Sequence, residues 1–275
     1  VGDALRIVGE AAAKEYEVSG IARFGTGVPL AGAVLLALVG LVLAMSVHSR
    51  EQVGQVEARP TEAVPKRIAY VPYWDQRRGF EVARQNRDLF EVISPVWYSL
   101  DSSGAVVLAD DEHTRIDRKA VRFLQDHAIQ VIPSVTNLRD GEWAPDLVRE
   151  MLHDRDARRD HVARLVELVV REGYDGIEID YEHLRADDRD VFTTFIEDLA
   201  GAMHAEGKVL TVALHPKTSE EGVDERNEAQ DFQAIGAAAD QVRIMTYDYS
   251  WEESPPGPVA PAGWVEEVIA WTVTQ

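Results

Sequence analysis

Residues 175–182 read Asp175-Gly176-Ile177-Glu178-Ile179-Asp180-Tyr181-Glu182, and their alternation sets the reading of the whole chain. Ile177, Ile179 and Tyr181 fall on one parity; Glu178, Asp180 and Glu182 fall on the other. In a β-strand alternate side chains share a face, so the acids stand in a row, neighbours ~6.6 Å apart. Like charges at that spacing repel and raise one another's pKa, a cost that a purely structural strand avoids. Such a row is suited to holding and delivering a proton near neutral pH. The expectation is an acid-catalysis site at the end of a buried strand.

Outward from this stretch, short apolar segments rich in β-branched and aromatic residues recur at 67–74, 92–100, 129–136, 209–215 and 242–247. Amphipathic helices lie between them. Val162, Leu165, Val166, Val169 and Val170 form one stripe, stopped by Gly173. Val191, Phe192, Phe195, Ile196, Leu199 and Met203 form another, closed by Gly207, and 262–273 reads as a further helix. His127 and His161 sit beside such stripes and read as helix-surface or core residues, since no metal-ligand spacing accompanies them. Strand–helix repetition with nearly continuous apolar strands predicts parallel βα units. No Gly-x-Gly-x-x-Gly follows the first strand, which weakens the dinucleotide-binding open sheet. Polar and aromatic residues instead collect at strand C-termini: Tyr73 and Trp74, Tyr98 and Asp101, Asn137, Glu182, His215, Tyr247 and Asp248. That is the pattern of an α/β (βα)8 TIM barrel, whose site is built from strand ends. Six strands are countable and the stretch is shorter than the ~250 residues of a full barrel. The expected domain over 66–275 is therefore a barrel truncated after about six βα units.

The 275 residues carry a formal net charge of -20, which argues against nucleic acid as a partner. Cysteine is absent, so disulfides and thiolate chemistry are excluded while the compartment stays open. From Phe24 to Val47 no residue is charged, and 30–45 is almost wholly Leu, Val, Ala and Gly. About 20 such residues cross a bilayer, and a core helix would keep a polar stripe. The expected order is an N-terminal tail at 1–23, a single transmembrane helix at 24–47, a polar linker with two prolines at 48–65, then the barrel. Charges flanking the span are nearly balanced and do not orient it.

Several segments together resemble a known family. Residues 173–182, Gly-Tyr-Asp-Gly-Ile-Glu-Ile-Asp-Tyr-Glu, resemble the Asp-x-x-Asp-x-Asp-x-Glu signature of glycoside hydrolase family 18, the chitinase-like hydrolases. Met245-Thr246-Tyr247-Asp248 resembles that family's sixth-strand Met-x-Tyr-Asp. Val71-Pro72-Tyr73-Trp74, residues 131–137, Ala213-Leu214-His215-Pro216-Lys217 and residues 257–261 look most like the bacterial branch that includes spore-cortex-lytic N-acetylglucosaminidases. The resemblance implies a retaining hydrolase of N-acetylglucosamine-containing glycans, peptidoglycan or chitin-like, working without a cofactor. It implies Glu182 as general acid and later base, with the substrate's own 2-acetamido oxygen as nucleophile, an exception to the two-carboxylate scheme. Asp180 would orient the acetamido group and stabilise the oxazolinium, and Tyr247 would hold the same group. Glu178 and Asp175 complete the catalytic set. Tyr73, Trp74, Tyr98, Asn137, His215, Met245 and Asp248 form the expected substrate-binding set. One position departs: Glu178 stands where the family has its second aspartate, able to share a proton with Asp180, and a changed pH profile is expected. The family's strands seven and eight, and the tryptophan under the reacting sugar, are not in this chain. A glycan polymer lies outside the cytoplasm, which places the barrel outside the cell, held by a single-pass span.

Alternatives stand beside several of these readings. Asp175 has the wrong parity for the row and is either a turn former before Gly176 or electrostatic support for the site. Trp74, Trp97, Tyr98 and Trp251 are either sugar platforms or packing. Lys217 either contacts substrate or caps a strand end, and the pairs at 220–221 and 252–253 read as solvated charges. A non-catalytic carbohydrate-binding barrel is the second function class. A metal-dependent hydrolase using Glu178, Asp180, Glu182 and His183 is the third.

Overall fold

The computed structural model describes residues 66–109, 114–251 and 254–275. The expected tail, membrane span and linker at 1–65 lie outside the described residues, as do Glu252 and Glu253. Among the described residues no helix is long and apolar enough to cross a membrane.

The six expected strand regions all form; 92–100 does so over its full length and the others are trimmed, shifted or divided. β1 (Ile68–Val71) is followed by α1 (Gln76–Gln85), then β2 (Val92–Leu100) and a short β3 (Val106–Leu108). α2 (Arg118–Asp126) leads to β4 (Gln130–Val131) and β5 (Ser134–Thr136). The expected continuous strand at 129–136 is divided at Ile132-Pro133, because proline has no N–H to give to a ladder. A small antiparallel hairpin, β6 (Leu138–Arg139) and β7 (Glu142–Trp143), follows. Next come α3 (Pro145–His153), α4 (Arg155–Glu172), β8 (Gly176–Asp180), α5 (Arg189–Ala205) and β9 (Val209–Leu214). The described chain ends with α6 (Glu225–Glu228), α7 (Phe232–Ala238), β10 (Gln241–Ile244) and α8 (Ala262–Thr272).

The strands pair in the order β1-β2-β5-β8-β9-β10, every step parallel, with β4 also along β2 and β3 antiparallel on it. The sheet curls on itself: Arg243 of β10 reaches the Tyr70 hydroxyl of β1 at 3.2 Å and Ser94 of β2 at 2.5 Å. This curled parallel sheet with helical crossovers is the architecture of a partial βα barrel.

Local chemistry sets the elements around β8. Asp154 caps α4 by accepting from the N–H groups of Asp156 and Ala157, and Gly173 ends it with φ at 74°. Gly176 is required by close approach, since a Cβ there would lie 2.2 Å from the Val209 carbonyl oxygen. On the outer side of β8, Ile177, Ile179 and Tyr181 are buried with Leu165, Val169 and Phe195. Tyr181 stacks on Phe195 at 6.0 Å and its hydroxyl lies 2.7 Å from His161 Nε2. Burying a side chain of this size stabilises by about 1.5–3 kcal/mol. The stripe on α4 differs by one residue: Leu168 is buried, while Val170 is 47% exposed. The α5 stripe is as expected over Phe192, Phe195, Ile196, Leu199 and Met203.

Candidate active site

β8 ends at Asp180, where its partner β5 also runs out at Thr136. Tyr181 and Glu182 therefore leave the sheet, followed by His183 in a left-handed conformation, φ 61°. Asn137 holds this departure. Its Nδ2 donates to the Glu182 carbonyl at 2.9 Å, and its Oδ1 accepts from the Glu182 N–H at 2.9 Å. With 1% of its surface exposed, Asn137 positions the backbone of Glu182 and offers nothing to a sugar. That replaces its expected substrate-binding role.

The acid row is present on the inner side, but its three members live in different surroundings. Glu178 Oε1 accepts from the Tyr70 hydroxyl at 2.6 Å and from Arg243 Nη1 at 2.9 Å, and Oε2 accepts from Ser134 Oγ at 2.5 Å. Asp180 is part-buried, and its Oδ1 is a buried atom that meets no partner among the described residues. Burial holds its carboxyl well above the usual range, reinforced by Glu182 and then Glu178. Glu182 is pushed up to about 7, chiefly by burial; Asp248 adds to the rise and Arg226 opposes it. Row repulsion was the expected cause for Glu182, and desolvation takes its place as the main one.

A cavity of about 370 Å³ lies beside Glu182, lined also by His215, Arg226, Met245, Tyr247 and Asp248. His215 Nε2 lies 3.7 Å from Glu182 Oε2. Burial, helped by Arg226, pushes this imidazole down to about 4, so it is neutral at physiological pH. Tyr247 follows β10 with a half-exposed ring, and its hydroxyl is pushed up to about 12 by partial burial, then by Asp180, Glu182 and Asp248. The site thus sets an acid that titrates near neutral pH beside a buried, unpartnered carboxyl oxygen and a phenol donor, a set suited to protonating a leaving oxygen.

Of the residues singled out from sequence, Glu182, His215, Met245, Tyr247 and Asp248 line this one cavity. Tyr73 and Trp74 stand in a turn after β1; Tyr73 lines a separate cavity with Ser99 and Asp101, and Trp74 is 70% exposed. Tyr98 does not join the site. It is 4% exposed, and its hydroxyl is 2.9 Å from that of Tyr174. The irregularity between Val96 and Tyr98 in the β2–β5 register accompanies this placement. Asp175 is removed from the catalytic set as well. Its Oδ2 accepts from the Val131 N–H at 2.8 Å and from Gln125 Nε2 at 2.9 Å, fastening the start of β8 at the end opposite Glu182. Trp97 is packing, stacked on Phe80 at 5.5 Å. Lys217 is 1% exposed and donates to the Gln230 carbonyl at 2.7 Å, so it ties a loop together. The oxygen-rich cation set is broken up, because Glu178 is taken by Arg243, Tyr70 and Ser134, and His183 stacks near Trp143 at 6.0 Å.

Arg226, Trp264, Tyr70 and Arg243 were not singled out from sequence. For Arg243 a signal existed: a charge inside the apolar run Val-Arg-Ile-Met on the parity of Met245 needs an internal counter-charge. Arg226 and Trp264 carry no such pattern.

A family model for the glycosyl hydrolases of family 18 matches residues 66–275. YdhD of Bacillus subtilis (strain 168) is 35% identical over 159 residues, 58% of this chain and 37% of that protein. A cortical fragment-lytic enzyme of the same organism is 34% identical over 141 residues, 51% of this chain and 33% of that protein. The crystal structure of a chitinase from Chromobacterium violaceum superposes with a TM-score of 0.69 at 27% identity, covering 76% of this chain and 65% of that one. The chain thus spans about a third of the length of the first two relatives.

Proposed function

The chain belongs to the glycosyl hydrolases of family 18, and from that premise we propose that it serves a retaining, substrate-assisted hydrolase of β-linked N-acetylglucosamine polymers. The observation that carries this reading is Glu182: a carboxyl pushed up to about 7 by burial, facing the cavity that also presents Asp248 and Tyr247. In its protonated form, which a pKa of about 7 keeps well populated up to neutral pH, Glu182 gives its proton to the glycosidic oxygen as the C1–O bond breaks. The 2-acetamido carbonyl oxygen attacks C1 from the opposite side. The unpartnered Oδ1 of Asp180 receives the acetamido N–H and orients the group as the oxazolinium forms. Tyr247 donates to the same acetamido group. Water then opens the ring at C1 while Glu182 takes its proton, restoring the acid and the original anomeric configuration.

The polymer is of the peptidoglycan or chitin type; a cortical fragment-lytic enzyme and a chitinase are both similar to this chain. We take the six parallel units as the larger part of a (βα)8 barrel. We also place the apolar run at 24–47 in the cell membrane, with the barrel on the outer side where such polymers lie. Protease shaving of intact cells should release the barrel; protection of it would contradict that orientation. Glu182→Gln should abolish hydrolysis of N-acetylglucosamine oligomers and cell-wall glycan while leaving sugar binding intact. Wild-type turnover in that variant would refute the mechanism. Binding without hydrolysis in the wild type would favour a carbohydrate-binding barrel.

A further inference from the structure

Glu178 occupies the one signature position where this chain is a methylene longer than the family pattern, and the structure shows what the extra length meets. Its carboxylate makes three hydrogen bonds and accepts all of them: from Tyr70 at 2.6 Å, Ser134 at 2.5 Å and Arg243 at 2.9 Å. Arg243 Nη1 is shared with the Tyr70 hydroxyl and with Ser94 at 2.5 Å, so β1, β5 and β10 meet at the β8 carboxylate and β2 joins them through Arg243. Both charged partners are interior, the Arg243 side chain 11% exposed and the Glu178 side chain 1%. The guanidinium also lies over the Tyr70 ring, 5.5 Å from its centroid. No hydrogen bond joins Glu178 to Asp180, whose Oδ1 is without a partner among the described residues.

We propose that Arg243 is a positioning residue of the acid row: with Tyr70, Ser94 and Ser134 it clamps Glu178 as a fixed anion, so Glu178 does not exchange a proton with Asp180 and the row's mobile proton stays on Asp180 and Glu182. The Arg243 guanidinium can only donate, so it holds Glu178 Oε1 as an acceptor and sets a full positive charge against it. Breaking a buried pair of this kind leaves an uncompensated charge, which fixes the pair as a unit. The other ionisable groups facing it are Tyr70 from β1, Asp180 on the same strand, and Tyr247 beyond β10, which feels Asp180 and Glu182 more strongly than Glu178. Burial raises Tyr70 out of the physiological range, so it remains a donor. From β5 and β9 the facing side chains are Ser134 and Thr211, neither of them charged.

The role in catalysis rests on the glycosidase reading, but the clamp is testable without it. Carboxyl 13C NMR titration of the protein should locate the midpoint of Asp180 in the wild type, in Glu178→Gln and in Glu178→Gln/Arg243→Gln. The clamp predicts that Glu178→Gln, by leaving the guanidinium unbalanced, lowers the Asp180 midpoint by about 1 unit or more. It predicts that the double variant, with the pair replaced by two neutral amides, returns the midpoint to that of the wild type. An unshifted midpoint in Glu178→Gln would overturn the proposal, because glutamine would then be replacing an acid that was already neutral. Should only the double variant fold, a midpoint raised above wild type overturns it equally, since a lone positive charge would have been removed. Where hydrolysis is measurable, the pH profile should move with the Asp180 midpoint. The predicted shifts in a protein that cleaves no glycan would sink the glycosidase reading and leave the clamp standing.

Discussion

Replacing Asn137 by alanine separates a residue that positions the acid from one that binds sugar. The side chain makes a reciprocal pair of 2.9 Å hydrogen bonds to the Glu182 backbone and is 1% exposed. Removing it strands a part-buried N–H and a part-buried carbonyl at the point where the chain leaves β8. Each orphaned group costs about 1–3 kcal/mol, part of which relaxation and water recover, so a loss of about 2–4 kcal/mol in stability is expected. The Glu182 carboxyl then loses the anchor that fixes its reach into the cavity. Misplacement of a general acid by about 1 Å is worth about 100-fold in rate, or about 2.7 kcal/mol of barrel-assisted activation energy. The assay is steady-state hydrolysis of a soluble N-acetylglucosamine oligomer, with urea unfolding on the same samples. The expected result is kcat lowered about 100-fold with KM nearly unchanged. Asn137→Asp, which keeps the acceptor for the Glu182 N–H but loses the donor to its carbonyl, should fall between. A raised KM at wild-type kcat would refute the reasoning and return Asn137 to the sugar.

Other consequences are as direct. Glu182 sits at about 7 when folded, above the ~4.3 of an exposed glutamate, so between those values the folded chain binds the extra proton. Its contribution to stability is full below about 4 and is lost as pH rises through 7, by at most about 4 kcal/mol. Glu182→Gln, which does not titrate, should therefore gain stability on the wild type between pH 5 and pH 8 in urea melts; a constant gap would contradict burial as the cause. Tyr98→Phe removes the hydroxyl contact to Tyr174 and should cost about 1 kcal/mol without altering KM, whereas a sugar contact would raise KM. Asp175→Ala strands the Val131 N–H and should lower stability by about 1–3 kcal/mol. Its kcat should match the wild type, and a large fall in kcat with unchanged stability would restore Asp175 to the catalytic set.

The strands were legible where their residues are uniform. The run at 92–100 forms β2 to the residue, because β-branched and aromatic side chains suit a strand buried on both faces. Pro133 was visible too, but its interruption of the next strand requires knowing which N–H groups the neighbour needs. Glu182 and Asp180 could be read from parity alone, since period-2 alternation carries straight into the inner face of β8. What parity cannot supply is a partner far away in sequence. Asn137 meets Glu182 across 45 positions, and Arg243 meets Glu178 across 65. Those contacts decide that one expected sugar ligand holds a backbone and that one member of the acid row is locked in an ion pair. Tyr98 failed for a related reason: a strand-end aromatic was assigned to the mouth, and a register irregularity beside it goes with a ring packed on Tyr174 instead.

The stereochemistry of the first product tests substrate-assisted cleavage by Glu182 most directly. A β-linked N-acetylglucosamine oligomer is hydrolysed by the protein inside an NMR tube, and the anomeric protons are followed from the first minutes. Retention through the acetamido group predicts that the β-anomer appears first and the α-anomer only as mutarotation proceeds. An initial α-anomer would mean that water attacks directly, and would contradict the mechanism.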